Sequence, residues 1–174
     1  MSDKRAGAVT FKGNPVTLVG PALKAGDKAP TFKTLSNALA PVTLADTPAK
    51  PRLFSVVPSL DTPVCSRQTK HFEDELAALG DTVAAYTVSL DLPFAQKRFC
   101  GAENVQNMQT LSDVHDGSFG TAFGVRIEGL PLALLARAVF VVDAGGTVKY
   151  AEYVPEVTAE PNYDAALAAL KGVA

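Results

Sequence analysis

Apolar positions along the chain fall into short runs whose period changes from segment to segment. Val9-Thr10-Phe11-Lys12 and Val16-Thr17-Leu18-Val19 flank Gly13-Asn14-Pro15, which predicts a β-hairpin over residues 9–19. Residues 21–30 predict a loop, Thr31–Leu35 and Val42–Leu44 predict short strands, and Pro48–Pro51 a turn. Arg52–Val57 is almost continuously apolar (Leu53-Phe54-Ser55-Val56-Val57), the pattern of a strand covered on both faces. Pro63–Leu79 switches to helical spacing. Cys65, Phe72, Leu76 and Leu79 share one face, Arg67, Lys70 and Asp74 the other, and Gly80 predicts the end. Thr82–Ser89 predicts the next strand. Pro93–Cys100 predicts a short helix stopped by Gly101, Gln109–Leu111 a short strand and Gly117–Phe123 a helical turn. Ala138–Val142 and Thr147–Val154 pair through Asp143-Ala144-Gly145-Gly146, and Tyr163–Leu170 forms a closing helix capped by Asn162. Strands alternating with helices predict an α/β domain: a mixed central β-sheet with helices on both faces, one domain over residues 1–174, without repeats or linkers.

Composition narrows the functional classes. At 174 residues, 47% hydrophobic and 20% charged, the chain suits one well-cored globular unit. The net charge is −2 and the cations are scattered, which argues against a nucleic-acid surface. Residues 130–142 form the longest apolar stretch, but it contains Arg137 and is too short to span a bilayer. The polar N-terminus, Met1-Ser2-Asp3-Lys4-Arg5, is not followed by a signal-type apolar core, so the expected location is cytoplasmic. In that reducing compartment two cysteines read as redox-active or core residues, not as a static cross-link.

Cys65 is the most informative residue. Thr62 reads as an N-cap and Pro63 as the first helical residue, which puts Cys65 in the first turn. Backbone N–H groups there lack intrahelical partners, and they and the helix dipole favour a thiolate. A cysteine on an apolar helix face is ordinarily an inert core residue; the helix-start position argues for a nucleophile at the floor of a shallow cleft. Arg137 interrupts the apolar run Leu134–Val142. It is either a strand-end arginine reaching solvent or a carboxylate, or a permanent cation that stabilises Cys65 as thiolate and holds a polar substrate. Thr62 either only caps the helix or also hydrogen-bonds a substrate oxygen.

Cys100 ends the second helix, with thirty-four residues between it and Cys65, so this is no Cys-x-x-Cys motif. Two cysteines are too few for structural zinc unless His71 and His115 join them, and neither histidine is spaced for that or for a Cys–His dyad. What remains is peroxide chemistry, in which a thiolate becomes a sulfenic acid and a second thiol condenses with it. Cys100 is the only other thiol.

The run Pro58-Ser59-Leu60-Asp61-Thr62-Pro63-Val64-Cys65 resembles the active-site segment of peroxiredoxins. Ser89–Cys100 is similar to the segment holding the second cysteine in bacterial thiol peroxidases, the atypical two-cysteine branch, and Leu135–Val141 to that group's arginine strand. Gly13-Asn14-Pro15, Pro155-Glu156 and Pro161-Asn162-Tyr163 also match, so the likeness runs from about Val9 to Leu170. The resemblance implies a thioredoxin-like fold with an added N-terminal β-hairpin. It implies Cys65 as the peroxidatic and Cys100 as the resolving cysteine, an intrachain disulfide, and a peroxide pocket built by Pro58, Thr62 and Arg137. It further implies thioredoxin as reductant, a homodimer, and no metal or organic cofactor. Residues 129–134 depart from the family pattern, which is expected to shift that loop and with it the pocket rim or the dimer surface. Apolar neighbours around Cys65 would admit organic hydroperoxides beside hydrogen peroxide. A redox sensor using the same disulfide is the alternative reading, and a domain whose cysteines merely pack is a third. Two cysteines on separate helices would require the first turn of the Cys65 helix and the segment around Cys100 to rearrange before they bond.

Overall fold

The computed structural model describes residues 3–174; Met1 and Ser2, the first residues of the polar N-terminus, lie outside the described residues. The hairpin is longer than its alternation suggested: strands β1 (Lys4–Phe11) and β2 (Asn14–Val19) pair antiparallel, with Gly13 at φ +81° in the turn. A third strand, β8 (Arg126–Glu128), pairs with β2 and was not predicted, because three residues carry too little periodicity to register.

The main sheet has seven strands: β3 (Lys33–Leu35), β4 (Pro41–Thr43), β5 (Arg52–Val56), β6 (Ala84–Ser89), β7 (Gln109–Ser112), β9 (Ala138–Val142) and β10 (Val148–Tyr153). Their order is β10-β9-β5-β6-β7-β3-β4. β5, β6 and β7 run parallel, and the remaining neighbours pair antiparallel, so the sheet is mixed as expected. Period-two alternation sends successive residues to opposite faces. Leu53, Val139 and Val141 join one apolar cluster, and Phe54, Val56, Phe140 and Val142 the other. The first face is covered by α1 (Pro63–Leu76), α2 (Pro93–Ala102) and α4 (Tyr163–Val173), through Phe72, Leu76, Phe99 and Leu170. The second is covered by α3 (Ser118–Ala122), with Phe119 and neighbouring Phe123, and by the hairpin side chains Val9, Val16 and Leu18.

Three boundaries moved for physical reasons. Helix α1 ends at Leu76 and not at Leu79, because the chain leaves through a turn into a 3-10 segment that begins at Gly80, φ +52°. Gly101 does not stop α2. The helix runs on to Ala102, and the left-handed exit is made by Asn104 at φ +54°, the other residue type that tolerates that conformation. Leu44 is not in a strand but opens a 3-10 turn in which the Asp46 carboxylate accepts from the Thr43 backbone and hydroxyl.

Candidate active site

Strand β5 ends at the segment Val57–Thr62, which delivers the chain into α1. Thr62 occupies the N-cap position with extended backbone, and Pro63 opens the helix. The first intrahelical bond is Ser66 N–H to the Thr62 carbonyl at 3.0 Å, so the N–H groups of Val64 and Cys65 precede the ladder and lack helical acceptors. The expected side-chain cap does not form. The Thr62 hydroxyl donates instead to the Ser59 carbonyl at 2.9 Å, closing the turn before the helix.

Cys65 is fully buried on the core side, as its helix face predicts, but it does not itself line the cavity beside it, which corrects the expectation that it forms the floor of a shallow cleft. Its position on the apolar face of a helix lying against the sheet explains this. Arg137, in the extended segment just before β9, is 2% exposed. Its Nη2 donates to Cys65 Sγ at 3.3 Å, its Nη1 to Gln68 Oε1 at 2.8 Å and its Nε to the Val157 carbonyl at 2.8 Å. Gln68 in turn donates through Nε2 to Ser55 Oγ at 2.7 Å. Among the described residues no carboxylate lies within salt-bridge distance of Arg137. A buried guanidinium thus has one neutral amide, one backbone carbonyl and one sulfur as partners.

A cavity of about 270 Å³ opens beside this group. Pro58, Thr62, Val64 and Arg137 line it, and Phe11 and Lys12 of the hairpin close one side. Pro58, Thr62 and Arg137 are therefore brought together next to Cys65. Loop 129–134 does not line this cavity; part of it borders a separate one beside β8.

Cys100 lies near the end of α2, half-buried, with Sγ 3.7 Å from the Thr110 hydroxyl. Both cysteines are free thiols that pack on the same apolar cluster. A groove of about 370 Å³ separates the start of α1 from α2, lined by Thr62 and Ser66 on one side and Arg98 and Phe99 on the other. Two exposed ion pairs tie α1 or the turn before it to α2 or its exit, Arg98–Asp61 at 3.1 Å and Lys70–Glu103 at 3.5 Å.

Comparison with known proteins places this arrangement. A family model described as Redoxin matches residues 24–167. The thiol peroxidase of Halalkalibacterium halodurans is 56% identical over 94% of this chain and 97% of its own, and that of Bacillus subtilis is 54% identical over 95% and 97%. The chain belongs to the redoxin family, in its bacterial thiol peroxidase branch. It is accordingly a thiol-dependent peroxidase of the peroxiredoxin type. A peroxiredoxin-like protein from Aquifex aeolicus superposes with a TM-score of 0.90 at 44% identity, over 97% of this chain and 98% of that one. A thiol peroxidase from Chromobacterium violaceum, 19% identical over 94% of this chain and 95% of its own, shares the fold with a TM-score of 0.84. The thioredoxin-like fold with a mixed central sheet is thus the architecture of the family.

Within this redoxin, sequence reasoning missed the residues that hold the others in place. Gln68 and Ser55 orient Arg137, and each is visible in hindsight. Gln68 is a polar residue one turn after Cys65 on the same apolar face, and Ser55 is the single polar residue in the run Leu53–Val57. His71 plays no part in the site: it stacks on Tyr163 with ring centroids 3.9 Å apart. No cluster of metal-ligating side chains occurs among the described residues.

Proposed function

We propose that Cys65 is the attacking thiolate and Cys100 the resolving thiol of a two-cysteine peroxidase cycle in which Arg137, Thr62 and Pro58 form the substrate pocket. The single observation that carries this reading is Arg137: a cation 2% exposed, with no carboxylate in reach, 3.3 Å from Cys65 Sγ. Such a group is stabilised most by an anion at its remaining contact, and the sulfur is the only partner that can become one.

The thiolate attacks one oxygen of a hydroperoxide ROOH. The O–O bond breaks and its electron pair leaves on the second oxygen, which takes up a proton and departs as alcohol or water. Sulfur is oxidised to sulfenic acid and the peroxide is reduced. Arg137 and the free N–H groups of the first turn of α1 stabilise charge on the departing oxygen. The hydroxyl hydrogen of Thr62 is committed to Ser59, so its lone pairs are left to accept from the hydroperoxide O–H. Pro58 keeps water from one side, and the apolar wall with Phe11 and Val157 suits alkyl hydroperoxides as well as hydrogen peroxide.

The Cys100 thiol then attacks the sulfenic sulfur, water leaves, and an intrachain Cys65–Cys100 disulfide forms; a thioredoxin-type dithiol returns both cysteines to thiols. Because Cys65 is fully buried in α1, the first turn of that helix and the end of α2 must open for the sulfurs to meet. The family likeness supports a cytoplasmic homodimer acting without metal or organic cofactor, with the whole chain as one domain.

The test is peroxide turnover with thioredoxin, thioredoxin reductase and NADPH. Wild type is expected to turn over and Cys65→Ser to be inert. Cys100→Ser should give one stoichiometric oxidation and then stop. Sustained turnover by Cys100→Ser would overturn the two-cysteine cycle.

A further inference from the structure

Asp91 lies between β6 and α2, in the segment that leads to Cys100, and it joins that segment to the turn before the Cys65 helix, about 30 positions earlier. Its Oδ1 accepts from Ser59 Oγ at 2.8 Å, and its Oδ2 accepts from Leu60 N–H at 2.8 Å and from Ser89 Oγ at 2.7 Å. Ser59 and Leu60 belong to the turn that holds Thr62 and starts α1, and the Thr62 hydroxyl donates to the carbonyl of the same Ser59. On the other side, Gln96 of α2 donates through Nε2 to Ser89 Oγ at 3.1 Å. One carboxylate therefore connects the helix bearing Cys100, through Ser89 and Gln96, to Ser59, whose backbone carbonyl holds the threonine of the peroxide pocket.

A second observation shows which way this chain pulls. Gln96 is fully buried and its Oε1 has no hydrogen-bond partner, one of two such buried side-chain atoms among the described residues. An orphaned buried acceptor is a standing cost of the closed conformation, and water would relieve it if α2 opened. The three bonds to the Asp91 carboxylate, each charge-assisted, act in the opposite sense and favour closure.

We propose that Asp91 is a positioning residue that sets the balance between the closed state, which reacts with peroxide, and the opened state, in which Cys100 reaches the oxidised sulfur. The proposal rests on the two-cysteine reading above. With Asp91 intact, the Ser59–Thr62 turn is held rigid for the first step, and opening waits on loss of those bonds. An asparagine at 91 cannot accept all three, because its amide nitrogen is a donor where one acceptor is needed. Oxidation of Cys65 should then slow while disulfide formation from the sulfenic acid quickens, each by about tenfold, the scale of one hydrogen bond to a charged group.

Stopped-flow fluorescence and rapid-quench mass spectrometry on Asp91→Asn resolve the two steps separately, and over-oxidation to sulfinic acid under excess peroxide reports their partition. Ser59→Ala, which removes one hydroxyl and leaves the Leu60 bond intact, serves as the milder variant. The expected result is opposite shifts in the two rates and less sulfinic acid than wild type, with Ser59→Ala shifted the same way by less. Equal slowing of both steps, or no change in either, overturns the role of Asp91 while leaving the cycle standing. Failure of wild type itself to form the Cys65–Cys100 disulfide would instead overturn the cycle on which the proposal rests.

Discussion

Two buried arginines stand at opposite ends of the same strand pair. Arg52 opens β5 opposite Val142, and Arg137 precedes β9 at the end where Val56 faces Ala138. Both are at most 5% exposed, and neither has a carboxylate within salt-bridge distance among the described residues. Their partners differ. Arg52 donates to Thr47 Oγ1 at 2.9 Å and to the Asp143 carbonyl at 2.6 Å, and its Nε has no partner. Burial pulls it below the usual guanidinium range, opposed by the nearby carboxylate of Asp143. Arg137 has all three nitrogens engaged, one of them with a sulfur that can ionise. Burial of a cation alone is not a site. What distinguishes Arg137, the arginine proposed to act, is a partner able to take the opposite charge, held by groups that have no charge of their own to offer.

That contrast can be broken most directly by exchanging each arginine for methionine. Arg137→Met should slow oxidation of Cys65 by about 10²–10³-fold, the scale of losing one preorganised donor from a buried reacting centre. Arg52→Met should leave the rate within about twofold and the stability within about 1 kcal/mol. The reason is that both groups it touches keep other partners: Thr47 Oγ1 still donates to Leu44, and the Asp143 carbonyl still accepts from Gly146. Stopped-flow peroxide kinetics and urea unfolding measure the two effects.

Gln68 sharpens the comparison at the next level. Gln68→Leu should cost about 1–3 kcal/mol, because it strands Arg137 Nη1 and Ser55 Oγ. Gln68→Glu gives Arg137 a competing anion. It should slow Cys65 oxidation while protecting the fold, so rate and stability move apart. If both variants lose rate and stability together, Gln68 is only packing.

The smallest effect concerns Glu156, next to the residue whose carbonyl holds Arg137 Nε. Bonds from the Thr158 backbone and hydroxyl, followed by Gly13 N–H, hold its carboxyl at about 2, below the usual value of 4.5. A depressed carboxyl contributes stability that is present above its unfolded value and lost as pH falls through the folded one. Attachment of the hairpin tip should therefore weaken between about pH 4.5 and 2 in wild type, and Glu156→Gln should remove that dependence. Hydrogen exchange at Thr10 and Gly13 reads it directly. The residue is only half-buried, so its effect on peroxide rate at neutral pH should be less than about fivefold.

The parts of the molecule legible in its sequence were those with strong local patterns. The run Leu53–Val57, the helix spacing from Cys65 to Leu76 and the turn Asp143–Gly146 predicted β5, α1 and the β9–β10 hairpin. Pro58, Thr62, Cys65 and Arg137 were singled out in advance and the fold gathers them around one cavity and the sulfur beside it. The rest depended on contacts between residues far apart. β8 exists because β2 offers it an edge, and Gln68 and Asp91 matter through partners 69 and about 30 positions away. Thr62 shows the limit of a local rule: it occupies the cap position, yet its hydroxyl serves the preceding turn.

The proposed cycle requires Cys65, beside the Arg137 guanidinium, to react faster with peroxide than an ordinary thiol. The direct test is the second-order rate of Cys65 oxidation in Cys100→Ser protein at neutral pH, where no other thiol reacts, set beside free cysteine under the same conditions. The expected rate is at least about a hundredfold above free cysteine, the least that one preorganised donor supplies. A rate equal to that of free cysteine would contradict it, and would leave the buried arginine beside the sulfur as a packing arrangement only.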